Sequence, residues 1–301
     1  MTTQNAYGWM PDYPDYRDFS PETTETTENA QTNIAKSLKA MKLEKSGKVK
    51  LPSTKDLRQW CPPVEDQANL GSCTANAGVG LLEYFENRAF GMHCDGSRLF
   101  LYKVTRNLLG WDTDTGAFLR TTMGAMRLFG IPPEKNWPYY VKGDLNPDWN
   151  KEPSAFTYAY AQNFQSMRYF RLDCGVSNTE LLERIKRYLA GFYPSMFGFT
   201  VYSSIAQASE TGCIPYPSAN EKVEGGHAVV AVGYDDNKKI KNRIDNTTTT
   251  GALLIRNSWG TNWGEDGYGW LPYDYVLKGL AIDWWTLIIS EWVDTKQFGL
   301  H

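Results

Sequence analysis

A cysteine, Cys73, stands where a Gly-Ser turn runs into a predicted amphipathic helix, and Gln67 lies six positions before it. A helix N-terminus presents unpaired backbone N–H groups and a partial positive charge, so a thiol there is biased toward the thiolate, the form that attacks carbonyl carbon. The same N–H groups can hold a developing oxyanion, and the Gln67 side chain adds a donor if the turn folds back. This pattern is typical of a nucleophilic thiol with electrophilic support beside it.

His227 is the best candidate for the base that such a thiol requires. Of the three histidines, His301 is the last residue and His93 follows a predicted helix end, whereas His227 opens a predicted strand directly after two glycines. Asn257 ends the next predicted strand. An asparagine carbonyl can accept a hydrogen bond from the ring nitrogen that does not face sulfur, which fixes the tautomer and orientation of the imidazole. The sequence therefore predicts a Cys-His-Asn site.

From about Leu51 to its C-terminus, the chain resembles the papain-like (C1-type) cysteine peptidases. The resemblance implies an endopeptidase that hydrolyses peptide bonds through a thioester acyl-enzyme. Cys73 would be the nucleophile, His227 the general acid and base, Asn257 the orienting residue and Gln67 part of the oxyanion hole. The matching blocks are Gln67 with Gly71-Ser72-Cys73, then Gly116, then Gly226-His227-Ala228, and last the run from Asn257 to Gly264 with Gly267-Tyr268-Gly269.

The resemblance also implies substrate-binding residues around the thiol. Gly116 would offer backbone hydrogen bonds to an extended substrate. Gly226 replaces the polar residue that is commoner before the histidine, which would leave that corner of the site roomier. Trp259 is expected to shield the His-Asn hydrogen bond from water. The expected set is Gly71, Ser72, Gly116, Gly226 and Trp259.

Two departures mark the chain as a divergent branch of the family that it resembles. Leu70 stands where the family usually has a second cysteine, and Thr74 where it usually has a tryptophan, so the usual disulfide beside the nucleophile cannot form. The chain has five cysteines, an odd number, without paired spacing or a metal-ligand pattern. This usage fits a reducing compartment, and we expect neither a metal nor another cofactor.

The resemblance implies an α+β, papain-like fold with a helical lobe, a β-barrel-like lobe and the active-site cleft between them. The catalytic domain is expected over 51–301, with the helical lobe at about 60–176 and the β-rich lobe at about 177–301 plus 51–59. Helix signals predict helices over 73–88, 98–109 and 118–129, and a capping box at Ser177 predicts a fourth that ends near Gly191. Strands are predicted over 195–202, 228–234, 252–257, 268–273 and 281–289, with an extended hairpin loop at 235–251.

Residues 1–50 form a separate N-terminal segment of uneven charge. Residues 1–28 hold six acids and one arginine, a net charge of −5, while residues 29–55 hold seven lysines and Glu44, a net charge of +6. The aromatic, proline-broken run Tyr7–Asp18 favours an extended conformation. In papain-like enzymes such a segment is commonly an inhibitory propeptide, although this one is short. We hypothesise that Tyr7–Asp18 occupies the cleft until it is displaced or cleaved off; a disordered tail is the alternative.

Composition agrees with an enzyme that acts on polypeptides. At 301 residues and 42% hydrophobic, the chain can bury a sizeable core. A net charge of −3 without a dominant basic face argues against nucleic acid as a partner. No apolar run approaches the ~20 residues that a membrane span needs, and the N-terminus lacks the pattern of a secretory signal. We expect a cytoplasmic monomer, with export by another route left open.

Two other functions use the same residues. The site can transfer the acyl group to an amine instead of water, as an amidase or transglutaminase-like enzyme does. Alternatively, the chain is a catalytically silent binding protein whose N-terminal segment stays in the cleft, although every reactive residue is kept. Products formed in the presence of an added amine discriminate the first from a peptidase.

Overall fold

The structure is a computed structural model that describes residues 6–23, 32, 36, 44–45, 48–164 and 168–288. The helices are α1 (Cys73–Phe90), α2 (Arg98–Leu109), α3 (Leu119–Phe129), α4 (Ala155–Ala161), α5 (Asn178–Ala190) and α6 (Tyr273–Leu277). The strands are β1 (Glu44–Lys45), β2 (Lys48–Val49), β3 (Thr54–Asp56), β4 (Tyr140–Val141), β5 (Asp144–Leu145), β6 (Arg168–Arg171), β7 (Ser195–Tyr202), β8 (Val223–Lys241), β9 (Thr248–Arg256), β10 (Tyr268–Pro272) and β11 (Ala281–Ile288).

Seven strands build one antiparallel sheet, in the order β10-β9-β8-β7-β11-β6, and β3 pairs with β8 beyond the part that β7 covers. Helices α1, α2 and α3 pack together as the other lobe. The expected α+β fold of two lobes is confirmed. The five predicted strands are present, but β8 and β9 are longer than expected because their pairing continues out to Lys241 and Thr248. The predicted hairpin loop is therefore mostly strand, in keeping with the β-branched threonines of β9.

Helix α1 joins the two lobes, since it packs against α2 and α3 on one side and against β8 on the other. Every residue from Cys73 to Glu86 is buried, and two glycines let its neighbours approach. A Cβ on Gly78 would stand 2.9 Å from the Met126 sulfur of α3, and a Cβ on Gly80 would stand 2.5 Å from the Arg256 guanidinium of β9. The helix that carries Cys73 is thus held from both lobes.

The predicted helix ends are confirmed at the residues that carried the signals. Helix α1 stops at Gly91, which has a left-handed φ of 71° that glycine adopts without strain. The Ser97 side chain accepts from the Phe100 amide at the start of α2. Ser177 and Glu180 form the reciprocal capping box of α5. Helix α4 and strand β6 were not predicted, because neither seven nor four residues give a period that can be read from sequence.

No helix in the described part of the chain is both long and apolar enough to cross a bilayer.

Candidate active site

Cys73 is the first residue of α1, and its thiol is fully buried. The sulfur receives backbone hydrogen bonds from Gly8, from Ala228 and from the amides at the helix N-terminus. Each of these contacts favours the thiolate, yet burial outweighs them and raises the pKa of the Cys73 thiol to about 11. Burial therefore favours the protonated thiol while Gly8 is in place. This differs from the thiolate expected from the helix terminus alone, because that expectation left out desolvation.

His227 lies in β8, directly before Ala228, whose backbone contacts the Cys73 sulfur, and like the thiol it is fully buried. Its Nε2 lies 2.7 Å from the Asn257 side-chain oxygen. The backbone amide of Ser258 also donates to that oxygen, at 2.8 Å, which identifies it as an acceptor. Nε2 is therefore the protonated nitrogen, and Nδ1 keeps its lone pair. Among the described residues Nδ1 has no hydrogen-bond partner, although it is buried.

Aromatic rings enclose the imidazole. The Trp259 ring is stacked on His227 with centroids 4.4 Å apart, and Phe199 and Tyr7 meet it edge-on at 5.9 and 6.3 Å. This burial lowers the pKa of His227 to about 4, although the Asn257 hydrogen bond opposes the shift. The Trp259 ring thus lies over the imidazole whose Nε2 is hydrogen-bonded to Asn257.

Gln67 is also fully buried, and Ser258 determines which end of its amide faces the cleft. The Ser258 hydroxyl donates to the Gln67 side-chain oxygen at 2.6 Å. The Gln67 side-chain nitrogen consequently donates to the Leu70 carbonyl at 2.9 Å and to the Ala6 carbonyl at 3.1 Å. The Ala6 carbonyl thus accepts a hydrogen bond from the Gln67 side-chain nitrogen, which was predicted to donate to an oxyanion.

The turn before Cys73 is held by two residues that sequence reasoning missed. Asp114 accepts from the Gly71 amide at 3.0 Å and from the Tyr102 hydroxyl at 2.5 Å. Tyr139 donates to the Gln67 backbone carbonyl at 2.9 Å and lies 2.5 Å from the Ser72 hydroxyl. The Ser72 side chain therefore lies inside the helical lobe and not in the cleft. Asp114 lies 43 positions from Gly71, and no local pattern signals such a contact.

The described N-terminal residues 6–23, which we call the arm, lie against the rest of the chain, which we call the body. Their first part, Ala6–Met10, lies between the two lobes, and we call it the arm's cleft segment. The Trp9 amide donates to the Gly226 carbonyl at 3.0 Å, on the β-rich side. On the helical side the Ala117 amide donates to the Gly8 carbonyl at 2.8 Å, and the Met10 amide donates to the Ala117 carbonyl at 3.2 Å. The backbone pairing falls one residue after Gly116, whose own amide donates to the Tyr102 hydroxyl.

Trp9 fills the space beside two glycines, Gly198 and Gly226. A Cβ on Gly198 would stand 1.8 Å from the Trp9 ring, and a Cβ on Gly226 would stand 2.7 Å from it. The indole N–H donates to the buried carboxylate of Asp283 at 3.1 Å. In this structure the chain's own Trp9 lies in the space beside Gly226.

The sequence model that describes the papain family of cysteine proteases matches residues 51–276. The chain belongs to this family. An uncharacterized peptidase C1-like protein of Acanthamoeba polyphaga mimivirus is 35% identical over 237 residues, which cover 76% of this chain and 70% of that protein. Cathepsin K of Gallus gallus is 30% identical over 224 residues, covering 72% of this chain and 58% of the relative.

A solved structure extends the likeness beyond the catalytic domain. Xylellain, a cysteine protease from Xylella fastidiosa, is 34% identical and has a TM-score of 0.72. The alignment covers 95% of this chain and 97% of that one. The family assignment makes this chain a papain-like cysteine protease, a hydrolase, with the cleft in the place that the sequence resemblance implied.

The lowered pKa of His227 gives a prediction about protonation in the full chain. A base whose pKa is lowered stays neutral until the pH falls below the lowered value. We expect the His227 ring nitrogens, followed by NMR, to show the neutral Nε2–H tautomer from neutral pH down to about pH 5, where an unperturbed imidazole is charged. A His227→Gln variant assigns the signals. A ring that titrates near its ordinary value would contradict the closed, dry site.

Proposed function

We propose that this chain is a cysteine endopeptidase that cleaves polypeptides through a thioester, with Cys73 as nucleophile and His227 as its base. One observation carries the proposal. Asn257 fixes the proton on Nε2 of His227, which leaves an unpartnered lone pair on Nδ1 in the site where the Cys73 thiol is buried. A thiol and a bare imidazole nitrogen in one buried site are the two partners that nucleophilic catalysis needs.

The first half of the reaction forms the acyl-enzyme. The Cys73 sulfur attacks the peptide carbonyl carbon while its proton passes to Nδ1 of His227, and the carbonyl electron pair moves onto oxygen. Gln67 and the α1 N-terminal amides donate to that oxygen. When the pair returns, the C–N bond breaks and the amine leaves with the proton from Nδ1.

The second half releases the acyl group. Water gives a proton to Nδ1 of His227 and attacks the thioester carbon; the C–S bond then breaks, and the Cys73 sulfur regains the proton. Asn257 holds the ring throughout, since its oxygen is bonded to Nε2 and to the Ser258 amide. Acyl transfer to an amine follows the same steps with the amine in place of water.

We propose further that the chain is made as an autoinhibited form in which the arm closes the site. The arm contacts each of the groups that are proposed to act on a substrate. The Ala6 carbonyl accepts from Gln67, the Gly8 amide bonds to the Cys73 sulfur, and Tyr7 meets the imidazole edge-on. These contacts support inhibition in two ways, since they exclude a substrate and keep the thiol and the imidazole uncharged.

The arm also fits too closely for an arbitrary peptide to replace it in the same position. A Cβ on Gly8 would stand 1.9 Å from the Gly71 carbonyl oxygen. Only glycine fits at position 8 of the arm. This close contact between Gly8 and Gly71 supports the interpretation of the arm as an inhibitor and not as a disordered tail.

The five cysteines are free thiols, four of them half-buried. This usage supports our proposal that the chain works in a reducing compartment, with the cytoplasm as the expected one.

The catalytic assignment is tested by Cys73→Ala and His227→Ala. We expect each to lower the cleavage of an unfolded protein substrate by about a thousandfold or more, and Gln67→Ala to lower it by about a hundredfold. Cys94→Ala, which removes a half-buried thiol outside the cleft, is the matched control and should leave the rate unchanged. Retained hydrolysis in Cys73→Ala would rule out the mechanism. Mass spectrometry with an added amine shows which acceptor takes the acyl group.

The inhibitory role is tested by loosening the arm in the full chain. Loss of a buried tryptophan side chain costs about 3–5 kcal/mol, so Trp9→Ala should speed the labelling of Cys73 by a thiol-directed epoxide by at least about tenfold. Gly8→Ala should act likewise through its clash with Gly71. Tyr16→Ala is the control, because that arm side chain is 95% exposed. Equal labelling rates in all four proteins would contradict autoinhibition.

A further inference from the structure

Beyond its cleft segment, the arm crosses a second site on the body, which contains three arginines. Residues Pro11–Thr23, which we call the acidic segment, contain four acidic residues, and three of them pair with arginines of the body. Asp12 pairs with Arg120, Asp18 pairs with Arg120 at 2.8 Å, and Glu22 pairs with Arg184 at 2.6 Å. Three carboxylates of the segment therefore meet arginines of the body, outside the cleft that holds Cys73.

Arg120 of α3 is the centre of this contact. Its Nε and Nη2 form a two-pronged contact with the Asp18 carboxylate, each at 2.8 Å, and Nη2 also donates to the Tyr13 carbonyl at 2.8 Å. Its remaining nitrogen bonds to Asp12. Within the described ranges, every hydrogen bond of this guanidinium goes to the acidic segment and none to the body.

The neighbouring Arg171 has acidic partners in both the segment and the body, and its guanidinium lies 3.7 Å from the Asp18 carboxylate. It is fully buried and pairs with Asp173 at 2.7 Å and Asp283 at 3.3 Å, both residues of the body. It adds bonds to the segment, from Nη2 to the Asp12 carbonyl at 2.6 Å and from its amide to the Phe19 carbonyl at 2.7 Å. If the segment leaves, Arg171 keeps two carboxylates, whereas Arg120 loses all of its acidic partners.

Hydrogen bonds within the acidic segment bring two of its three aspartates, Asp12 and Asp18, together. The Asp18 amide donates to the Asp15 carbonyl at 3.0 Å, and the Asp15 amide donates to the Asp18 carboxylate at 2.8 Å. This turn brings Asp12 and Asp18 onto one guanidinium. Arg120 therefore binds two carboxylates whose positions the segment's own hydrogen bonds fix. Such a contact depends on geometry, and it is stronger than two separate, exposed ion pairs.

We propose that Arg120, Arg171 and Arg184 form a docking site for acidic peptides, which the chain's own acidic segment fills in the closed form. An acidic polypeptide of another molecule binds there when the segment is absent or weakened, and competes with it when it is present. Since the segment is continuous with the arm's cleft segment, such a ligand favours release of the arm. Docking itself does not depend on the proposed chemistry of Cys73; only the effect on the arm rests on the proposed inhibition.

The docking site is tested in the full chain after neutralising the three acids that pair with arginines of the body, as D12N/D18N/E22Q. The probe is a fluorescent peptide with the sequence of residues 11–23, which lacks the cleft segment. We expect saturable binding, weakened by salt, and at least about tenfold weaker when Arg120→Gln is added, because a two-pronged charged contact is lost. The unmodified chain should bind far more weakly, because the tethered segment competes at an effective concentration on the order of millimolar.

Arg127→Gln is the matched control, since Arg127 lies on the same helix and is exposed, and no contact between it and the arm is found in the described residues. It should leave binding unchanged. A scrambled peptide of the same composition should bind at least about tenfold more weakly, because it lacks the converging turn. Equal binding of the scrambled peptide, equal loss in Arg127→Gln, or no binding to the neutralised chain would overturn the proposal.

A second readout keeps the test decisive if the neutralised chain folds poorly. The peptide is added at millimolar concentration to the unmodified chain, and epoxide labelling of Cys73 is followed. We expect faster labelling with the peptide than with its scrambled form, and no such difference in Arg120→Gln. In Cys73→Ala we expect turnover to be lost while peptide binding is kept. This comparison tests the docking site independently of the proposed catalysis.

Discussion

Exclusion of water from one sulfur and one imidazole is the constraint on which the rest of this structure depends. Cys73 and His227 are both fully buried, and burial penalises the charged form of each. It raises the pKa of the thiol to about 11 and lowers the pKa of the imidazole to about 4. The proton therefore stays on sulfur while the arm is in place. The amides of the helix N-terminus favour the thiolate, but they cannot overcome this loss of solvation.

The fold serves this constraint by letting backbones approach closely from both lobes. Gly116 on the helical side and Gly226 on the sheet side lie against Gly8 and Trp9 of the arm. A Cβ on Gly8, Gly116 or Gly226 would stand within 2.4 Å of the backbone that faces it. Asp283 then fixes the indole through a buried hydrogen bond. In the proposed mechanism a substrate binds along these same glycine-lined walls after the arm leaves.

Most of the regular structure could be predicted from the sequence, because it depends on local signals. The Ser177 capping box, the glycine ends of the helices and the alternation of strand residues are readable within a few positions. The family blocks alone predict that Cys73, His227, Asn257 and Gln67 form one site. The predicted domain bounds stay a prediction: an N-terminal segment at 1–50, a helical lobe at 60–176, and a β-rich lobe at 177–301 plus 51–59. Strand β6, at 168–171, pairs with the sheet of the β-rich lobe although it lies before residue 177.

Contacts between distant positions could not be predicted in the same way. Trp9 meets Asp283 across 274 positions, and Arg120 meets Asp12 across 108. Neither pair has a period, a spacing or a motif, and the thiol pKa in the closed form follows from such contacts. In the covered site, burial outweighs the effect of the helix N-terminus on Cys73.

The ultraviolet absorbance of thiolate at neutral pH tests the central claim most directly, taken as the difference between a chain and its Cys73→Ala counterpart. The account predicts no thiolate signal in the unmodified chain and a clear signal once Gly8→Ala has opened the arm, because water then returns to the sulfur and the imidazole. A full thiolate signal in the unmodified chain, or none after opening, would contradict it.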